Sequence, residues 1–542
     1  MFSRKMSLLG VLLVAGMTCG PAASGGDDPA QGPLLPARWE YSMDGGKTFL
    51  PDAPTITWGH SPNERKDSVI ARATFDVADP DKVGLIKLMV GGTEGAFALT
   101  DADSVDRYNV RTRPNLTKMK LALNNRETDA GLAPCTLYRY VPIDPTLVKK
   151  GPNTLVVSGV YWFQFAPPTP APLRLAAIPA SLPELDRLPV LGAIGEDYFA
   201  VAARSIAPAQ FLVAVKPLDP AGAERQYKAE RTRQMKIRVP LPAGTRKFQY
   251  SVAVSAGGAA KTYGPYEVRM PAFGEGFRFA AMGNTAVYRG DSRRLKKVLT
   301  RILEVHPDVL IHVGNYVDSM PWDFMWTELF LDVAPETFAR IPLFPLCGMR
   351  EMASPVAFSR QFYFPPDDKD FARWTTAIGK VRFVAIETWA MSHDQQGEGL
   401  KWLDKVLAAA KEEYVVILNA QVSHCSVPNA GRTYRPIAAY TAQCVDPLLV
   451  KYKATVAIGG YHTGYERAEP PATEGIPTIM TCFAGGSGKP LQQVYVDQNK
   501  DSRATHVGDH FVLFEVTKGK LVMQAMDLDG KVFDTREFAP RK

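Results

Sequence analysis

The chain has 542 residues, enough for three or four domains at about 150 residues each. Its content of 46% hydrophobic and 22% charged residues is ordinary for a globular protein and excludes a disordered chain, a collagen and a coiled coil. The formal net charge is +7, but the basic residues are scattered and no aromatic residues are interleaved with them. The sequence therefore predicts no nucleic-acid partner.

The first 24 residues have the form of an export signal. Two basic residues precede an apolar stretch from Met6 to Met17, and small residues follow up to Ser24. We predict a signal peptide at residues 1–24 and a secreted, periplasmic or cell-envelope location. Lipid attachment at Cys19 is disfavoured, because the preceding residues are not of the Leu-Ala-Gly type expected there. No later apolar run approaches the roughly 18 residues of a membrane span, so none is predicted.

The cysteines that remain after the signal peptide do not form a recognisable framework. They are Cys135, Cys347, Cys425, Cys444 and Cys482, an odd number without the CxxC spacing typical of zinc sites. Two interpretations stay open for the pair Cys425 and Cys444, a disulfide or buried free thiols.

Residues 25–170 are predicted to form an all-β domain. After a linker rich in Gly, Pro, Ala and Asp, short β segments such as 68–77 and 118–125 alternate with Gly, Asp and Pro turns. The succession ARATFDVADPDKV, MKLALNN and YRYVPIDPTLVKKGPNTLVVSG resembles the galactose-binding-like jelly roll. That resemblance implies either a glycan-binding module or a structural spacer.

A second β unit is predicted at residues 175–271, after a Pro-rich stretch. The pieces PVLGAIGEDYFAVAAR, VPLPAGTRKFQYSVAV and GPYEVRMP occur in that order. They resemble the fibronectin-III-like domain that precedes the catalytic domain in purple acid phosphatases.

Residues 272–542 alternate apolar strands with helices, which predicts an α/β layered domain. The strand-like runs are FRFAAMGN, DVLIHVGN, VRFVAIETW, YVVILNAQ and ATVAIGGY. One helix face carries Leu295, Val298, Leu299, Ile302 and Leu303, and another carries Leu400, Leu403 and Leu407. Closing β strands are predicted within residues 510–532. In such a domain, a site is built at the carboxyl ends of the strands.

The motifs at those strand ends resemble the calcineurin-like metallophosphoesterases, and among them most nearly the purple acid phosphatases. The family carries GDxG, GDxxY, GNHE, a lone His and GHxHxYER. In their places this sequence has Gly283-Asn284, Gly314-Asn315-Tyr316-Val317-Asp318, Gly348-Met349-Arg350-Glu351, Gln421 (or Ala420 with a shift of one residue) and Gly460-Tyr461-His462-Thr463-Gly464-Tyr465-Glu466-Arg467. No metal-ligand position keeps its family residue, while Tyr465-Glu466-Arg467 is retained.

The replaced ligands predict that catalysis is lost or severely impaired. A two-metal phosphoesterase holds its cations about 3.5 to 4 Å apart, and two dications at that distance repel by roughly 19 kcal/mol at an effective dielectric of about 20. Anionic ligands must offset this repulsion, yet the position of the bridging carboxylate is the neutral Asn315. We therefore expect no cofactor, and a pseudoenzyme that binds a ligand.

A rearranged site is the alternative, in which the protein is a phosphoester hydrolase with one divalent cation. Manganese, zinc, iron or calcium would be held by a subset of the motif residues, namely Asn284, Asn315, Asp318, Gln421 and His462. His312, in the apolar strand DVLIHVGN, is interpreted as a core histidine. His424 lies about three residues beyond a ligand position, where side chains often point elsewhere.

Arg350 stands at the position of the family's catalytic His. Its guanidinium could take over the role of metal charge in binding a phosphate or sulfate, or it could pair with Glu351 or Asp318 and fill the vacated space. The predicted ligand is phosphate-bearing or a glycan, in a pocket formed by Asn284, Asn315, Asp318, Glu351, Gln421, Tyr461, His462 and Thr463. The sequence does not predict an oligomeric state.

Overall fold

The structure is a computed structural model. It describes residues 34–42, 44–51, 69–90, 120–127, 140–143, 145–160, 173–180, 183–274, 276–286, 292–317, 326–353, 358–426, 434–460, 464–482, 499–517 and 519–541. The predicted signal peptide and Cys135 lie outside these residues. So do four of the predicted site residues, Asp318, Tyr461, His462 and Thr463.

The N-terminal part consists of two antiparallel sheets. Its strands are β1 Leu34–Leu35, β2 Ala37–Ser42, β3 Val69–Val77, β4 Val83–Val90, β5 Lys120–Leu123, β6 Arg126–Glu127, β7 Tyr140–Ile143, β8 Gly151–Val160 and β9 Leu173–Pro179. The sheet orders are β1-β9-β4-β7 and β2-β3-β8-β5-β6. Alternate residues such as Ala73, Phe75 and Leu155 are buried in a core shared by both sheets. Two predicted strands, at 68–77 and 118–125, are thereby confirmed as β3 and β5.

Strand β9 shows where the first boundary differs from the sequence-based prediction. It pairs with β1 and β4 of the N-terminal sheet, so residues 175–179 do not belong to the second β unit. The Pro-rich stretch before β9 has the composition of a linker, but composition does not reveal that the chain returns to pair with the first sheet.

The second β unit forms one six-stranded sheet. Its strands are β10 Leu185–Gly195, β11 Tyr198–Asp219, β12 Arg225–Lys228, β13 Thr232–Pro240, β14 Lys247–Ala256 and β15 Ala259–Arg269. The 22-residue strand β11 pairs with β10 and β13 through its first half and with β12 and β14 through its second. Phe199 stacks on Phe248 in its core, with ring centroids 4.5 Å apart.

The C-terminal part contains two mixed sheets and the α-helices of the described residues. Its strands are β16 Phe277–Met282, β17 Val309–His312, β18 Leu343–Pro345, β19 Arg373–Ile378, β20 Val381–Ile386, β21 Tyr414–Asn419, β22 Val456–Gly459, β23 Gly464–Ala468, β24 Thr478–Cys482, β25 Ser502–His506, β26 His510–Thr517, β27 Lys520–Asp527 and β28 Val532–Phe538. Its α-helices are α1 Ser292–Glu304, α2 Pro335–Arg340, α3 Thr388–Ser392, α4 Glu398–Ala409, α5 Tyr434–Tyr440 and α6 Asp446–Lys451.

The sheet topology brings the predicted strand ends together. The sheet orders are β18-β17-β16-β26-β27-β28 and β19-β20-β21-β22-β24-β23-β25. Neighbours are parallel among β16, β17 and β18 and among β20, β21, β22 and β24. Phe279 of β16 meets Phe383 of β20 edge-on, with ring centroids 5.1 Å apart, so the two sheets share a core.

The predicted helices are confirmed by their buried faces. Helix α1 buries Leu295, Val298, Leu299 and Ile302, and helix α4 buries Leu403 and Leu407. Within the described residues, no helix has the length and apolar character needed to cross a membrane. Cys425 and Cys444 are not joined by a disulfide, so the disulfide interpretation of that pair is wrong.

The second sheet packs directly against the C-terminal part. Arg187, which is buried, donates to the side chains of Gln361 and Thr327. Lys236 Nζ donates to Asp368 Oδ1 at 2.7 Å. These contacts hold the segment that precedes β19 against the second sheet, behind the strand ends that carry the site.

Replacing Arg187 with Met should lower the free energy of unfolding by about 2–4 kcal/mol, because Gln361 and Thr327 would lose their buried donor. Urea denaturation of the full chain measures this change. Arg246→Met is the matched control, since Arg246 is exposed and lies 3.6 Å from Asp219; its cost should stay within about 0.5 kcal/mol. Equal costs for the two variants would contradict the importance of this interface.

Candidate functional site

The carboxyl ends of three parallel strands converge on a pair of glycines. The Asn284 backbone N–H, beyond β16, donates to the Gly314 carbonyl, beyond β17, at 2.9 Å. A Cβ on Gly314 would lie 2.7 Å from the Cα of Gly348, beyond β18, and 3.5 Å from the Cβ of Ala420, beyond β21. Contacts this close exclude a side chain at Gly314. The motif positions of both sheets therefore meet at one edge.

Glu351 occupies the centre of this edge as a buried carboxylate bound by the backbone. Its Oε1 accepts from the Tyr316 N–H, and its Oε2 accepts from the N–H groups of Asn315 and Gly348, all at 2.9 Å. Burial raises the pKa of Glu351, and the same backbone N–H groups oppose that rise. A Cβ on Gly348 would lie 2.8 Å from Glu351 Oε2, so the glycine makes room for the carboxylate.

Asn315 stands where the resemblance places the bridging carboxylate. It is 2% exposed and has a φ of 56°, in the left-handed region that Asn adopts more readily than most residues. Its Oδ1 accepts from the Arg350 backbone N–H at 3.2 Å. The side-chain oxygen at this position is thus bonded to the neighbouring turn. Asn284 is also fully buried, with a φ of 48°.

Of the two residues predicted for the family's lone His position, Gln421 and Ala420, it is Ala420 that lies next to Gly314. Ala420 is the residue whose Cβ approaches Gly314, which favours the alignment shifted by one residue. Gln421 is fully buried, and its backbone N–H donates to Asn419 Oδ1 at 3.1 Å. Among the residues that the structure describes, neither polar atom of its side-chain amide has a hydrogen-bond partner.

Glu387 is a site residue that the sequence analysis missed. It follows β20 directly, is fully buried, and accepts from the N–H groups of Trp389 and Ala390 at the start of α3. Burial raises its pKa to about 7, and the nearby charge of Glu351 adds to the rise. The sequence carried one signal for Glu387: a single acidic residue between an apolar strand and a helix, at the place of an N-cap.

Two buried histidines near this edge are neutral core residues. His312 Nε2 lies 2.7 Å from Thr285 Oγ1, its ring stacks on Tyr316 at 3.8 Å, and burial lowers its pKa. His510, which the sequence analysis did not consider, uses Nδ1 with the Gly508 carbonyl and Nε2 with Thr481 Oγ1. Burial lowers the pKa of His510 to about 4.

The retained Tyr465-Glu466-Arg467 sequence holds the scaffold together. Tyr465 Oη donates to Asp534 Oδ2 at 2.6 Å, and Arg467 donates to both oxygens of Asp534. Glu466 accepts from the Ser426 N–H at 2.6 Å and from Asn499 Nδ2 at 2.7 Å. These contacts tie β23 to β28 and to the segment after β21. The three residues therefore have a structural role that requires no catalytic function.

The described residues do not fit a two-metal centre. No group of three or more His, Cys, Asp or Glu side chains among them could hold a metal ion. Where the resemblance places metal ligands, the described residues are the amides of Asn284 and Asn315, the thioether of Met349, and the amide of Gln421 or the methyl group of Ala420. None of these groups carries a negative charge, so they cannot offset the repulsion between two cations.

Comparison with known proteins shows which fold this chain resembles. No protein-family model matches the sequence, and no curated protein matches it. A purple acid phosphatase from yellow lupin (Lupinus luteus) seeds superposes with a TM-score of 0.55 at 14% identity, over 87% of this chain and 93% of that one. The chain has a purple acid phosphatase-like fold. At this identity the likeness concerns the fold alone.

Two looser likenesses lie in other solved structures. PhoD is 10% identical, with a TM-score of 0.47 over 66% of this chain and 92% of its own. GAP50 of Plasmodium, the anchor in the inner membrane complex, is 16% identical, with a TM-score of 0.39 over 49% of this chain and 90% of its own.

Glu351→Gln should lower the free energy of unfolding by about 1–3 kcal/mol, because one amide NH₂ would face backbone N–H groups that now donate to an oxygen. Urea denaturation at pH 7 tests this. Glu537→Gln, which removes a surface ion pair to Lys520, should change stability by at most about 0.5 kcal/mol. If Glu351→Gln were as mild as this control, the backbone contacts of Glu351 would not hold the site.

Glu387 should make the protein less stable as pH rises from 4.5 to about 7. The pKa of Glu387 is higher in the folded state than in the unfolded state. In this pH range the folded state therefore holds a proton that the unfolded state has released, and the resulting stabilisation is lost as pH rises through the folded pKa. The loss is on the order of 3 kcal/mol. The difference in unfolding free energy between wild type and Glu387→Gln, measured from pH 4 to 8, should show this slope. If this difference did not vary with pH, the raised pKa of Glu387 in the folded state would be refuted.

Proposed function

We propose that this chain is an exported protein in which a purple acid phosphatase-like fold serves as a ligand-binding module and no longer supports two-metal hydrolysis. The observation that carries the proposal is Asn315. Its side chain is a neutral amide whose oxygen accepts a backbone hydrogen bond from Arg350. A group bonded in this way can neither neutralise two cations nor bridge them.

Loss of the metals also removes the nucleophile. A metal-bound water is acidic enough to supply hydroxide at neutral pH, and without a metal that hydroxide is absent. The buried acids offer no substitute, because the carboxylates of Glu351 and Glu387 are bound by backbone N–H groups. Their role is to hold the turns that shape the site.

The ligand that this edge suits best is a phosphate-bearing one. Arg350 is half-buried next to Glu351, and its backbone is fixed by Asn315. A guanidinium binds phosphate oxygens through charge-assisted hydrogen bonds and keeps its charge at any physiological pH. The neutral amides beside it add donors without adding negative charge that would repel the ligand. A glycan could instead bind to the N-terminal β sheets.

Metal analysis together with a hydrolysis assay tests the loss of catalysis. The purified full chain, incubated with manganese, zinc, iron or calcium and then desalted, should retain no stoichiometric metal and should not hydrolyse p-nitrophenyl phosphate. Two metals per chain with turnover that a chelator abolishes would overturn the proposal. One metal with such turnover would support the single-cation alternative, with ligands drawn from Asn284, Asn315, Asp318, Gln421 and His462.

Calorimetric titration with inorganic phosphate tests the binding role. Arg350→Gln should weaken phosphate binding by about tenfold or more, since a charge-assisted hydrogen bond contributes roughly 1.5–3 kcal/mol. Arg246→Gln is the control, because Arg246 is an exposed arginine on the second sheet; it should bind phosphate as the wild type does. Equal weakening in both variants would mean that phosphate binding depends only on the overall charge of the protein and not on Arg350.

A further inference from the structure

The segment Gln421–Ser426, which follows β21 and includes Gln421, is tied down by several surrounding elements. The Ser423 hydroxyl donates to Asp446 at the start of α6, and Thr478 Oγ1 of β24 donates to the His424 carbonyl at 2.8 Å. The Ser426 N–H donates to Glu466 of β23. His424 lies in the middle of these contacts.

The imidazole of His424 lies between two buried carboxylates. Its Nε2 is 3.5 Å from Asp446 Oδ2, and its Nδ1 is 3.5 Å from Asp501 Oδ2. The side chains of Asp446 and Asp501 are only 5% and 11% exposed, and that of His424 is 17% exposed. The two acids come from different elements, since Asp446 begins α6 and Asp501 precedes β25.

This arrangement requires the charged form of the ring. A neutral imidazole has one N–H donor and one lone pair, whereas the imidazolium has two donors. Because both ring nitrogens of His424 face carboxylate oxygens, only the imidazolium is attracted on both sides. Deprotonation would set a lone pair against one of the two anions and would leave both carboxylates without a nearby cation in a buried site.

We propose that His424 is a pH-dependent latch that holds the segment Gln421–Ser426 against α6 and the segment before β25 when it is protonated, and releases it when it is not. Regulation of the candidate site by this latch rests on the proposed function. The latch itself depends only on His424, Asp446 and Asp501.

The charges around the ring fix the direction of the pH response. Besides the two aspartates, His424 faces the backbone of Glu474, whose carboxylate lies 3.8 Å from the exposed Lys500. Burial lowers the pKa of His424, but the negative charges of Asp446 and Asp501 outweigh burial and raise it above 6.5. Since the folded pKa is the higher one, the latch contributes fully below pH 6.5 and is lost as pH rises through the raised value.

Titration of the full-length protein tests the latch without any ligand. In NMR spectra, the ring of His424 should titrate above its ordinary value, and Asp501→Asn should lower its pKa. Hydrogen-exchange protection factors of residues 419–426, corrected for the intrinsic effect of pH, should fall by tenfold for each unit by which that pKa is raised. A pKa at or below 6.5, or protection that does not change between pH 5.5 and 9, would overturn the proposal.

Two histidine variants complete the test. His424→Gln should give this segment the low protection of the wild type at high pH, at every pH. His393→Gln should keep the wild-type profile, because His393 is exposed and its ring lies against the nearby Trp389 and Ser392. The same profile in His424→Gln as in wild type would also overturn the latch. Phosphate binding measured at pH 6 and pH 8 is a separate readout, and its absence at both would count against the proposed function but not against the latch.

Discussion

The carboxylate of Glu351, buried at the edge where β17 and β18 end, is the contact on which the candidate site depends. Three backbone N–H groups, from Asn315, Tyr316 and Gly348, converge on its two oxygens. They fix the turns after both strands relative to each other and place Asn315 where its amide oxygen accepts from Arg350. The negative charge is thus stabilised by oriented backbone dipoles, so the scaffold needs no cation at this point.

Several other buried acids of the C-terminal part are also bound by donors of the protein itself. Glu387 accepts from the first N–H groups of α3, Glu466 from Ser426 and Asn499, and Asp446 from Ser423. Each of these carboxylates is committed to the protein's own donors. A phosphoesterase that uses metals must instead keep carboxylates aimed at the cations. The acids here support loops around the site, which agrees with a binding role.

Tyr465, Glu466 and Arg467 have a structural role in this fold. Their side chains join β23 to Asp534 and to the segment after β21. Removing them would leave buried charges unpaired.

The sequence by itself determined the periodic elements of the fold. Alternation and helical spacing predicted β3, β5, β16, β17, α1 and α4, because each pattern reflects the face that its own element buries. The sequence alone also showed that its motif residues differ from those of the family it resembles. The sequence could not predict that β9 joins the first sheet or that Ala420 rather than Gln421 faces Gly314. Nor could it predict that Glu387 caps α3 or that His424 lies between Asp446 and Asp501. These features depend on which strand ends become neighbours. Partners distant in sequence meet only after the sheets have packed, and burial and hydrogen bonding then assign a role to each side chain.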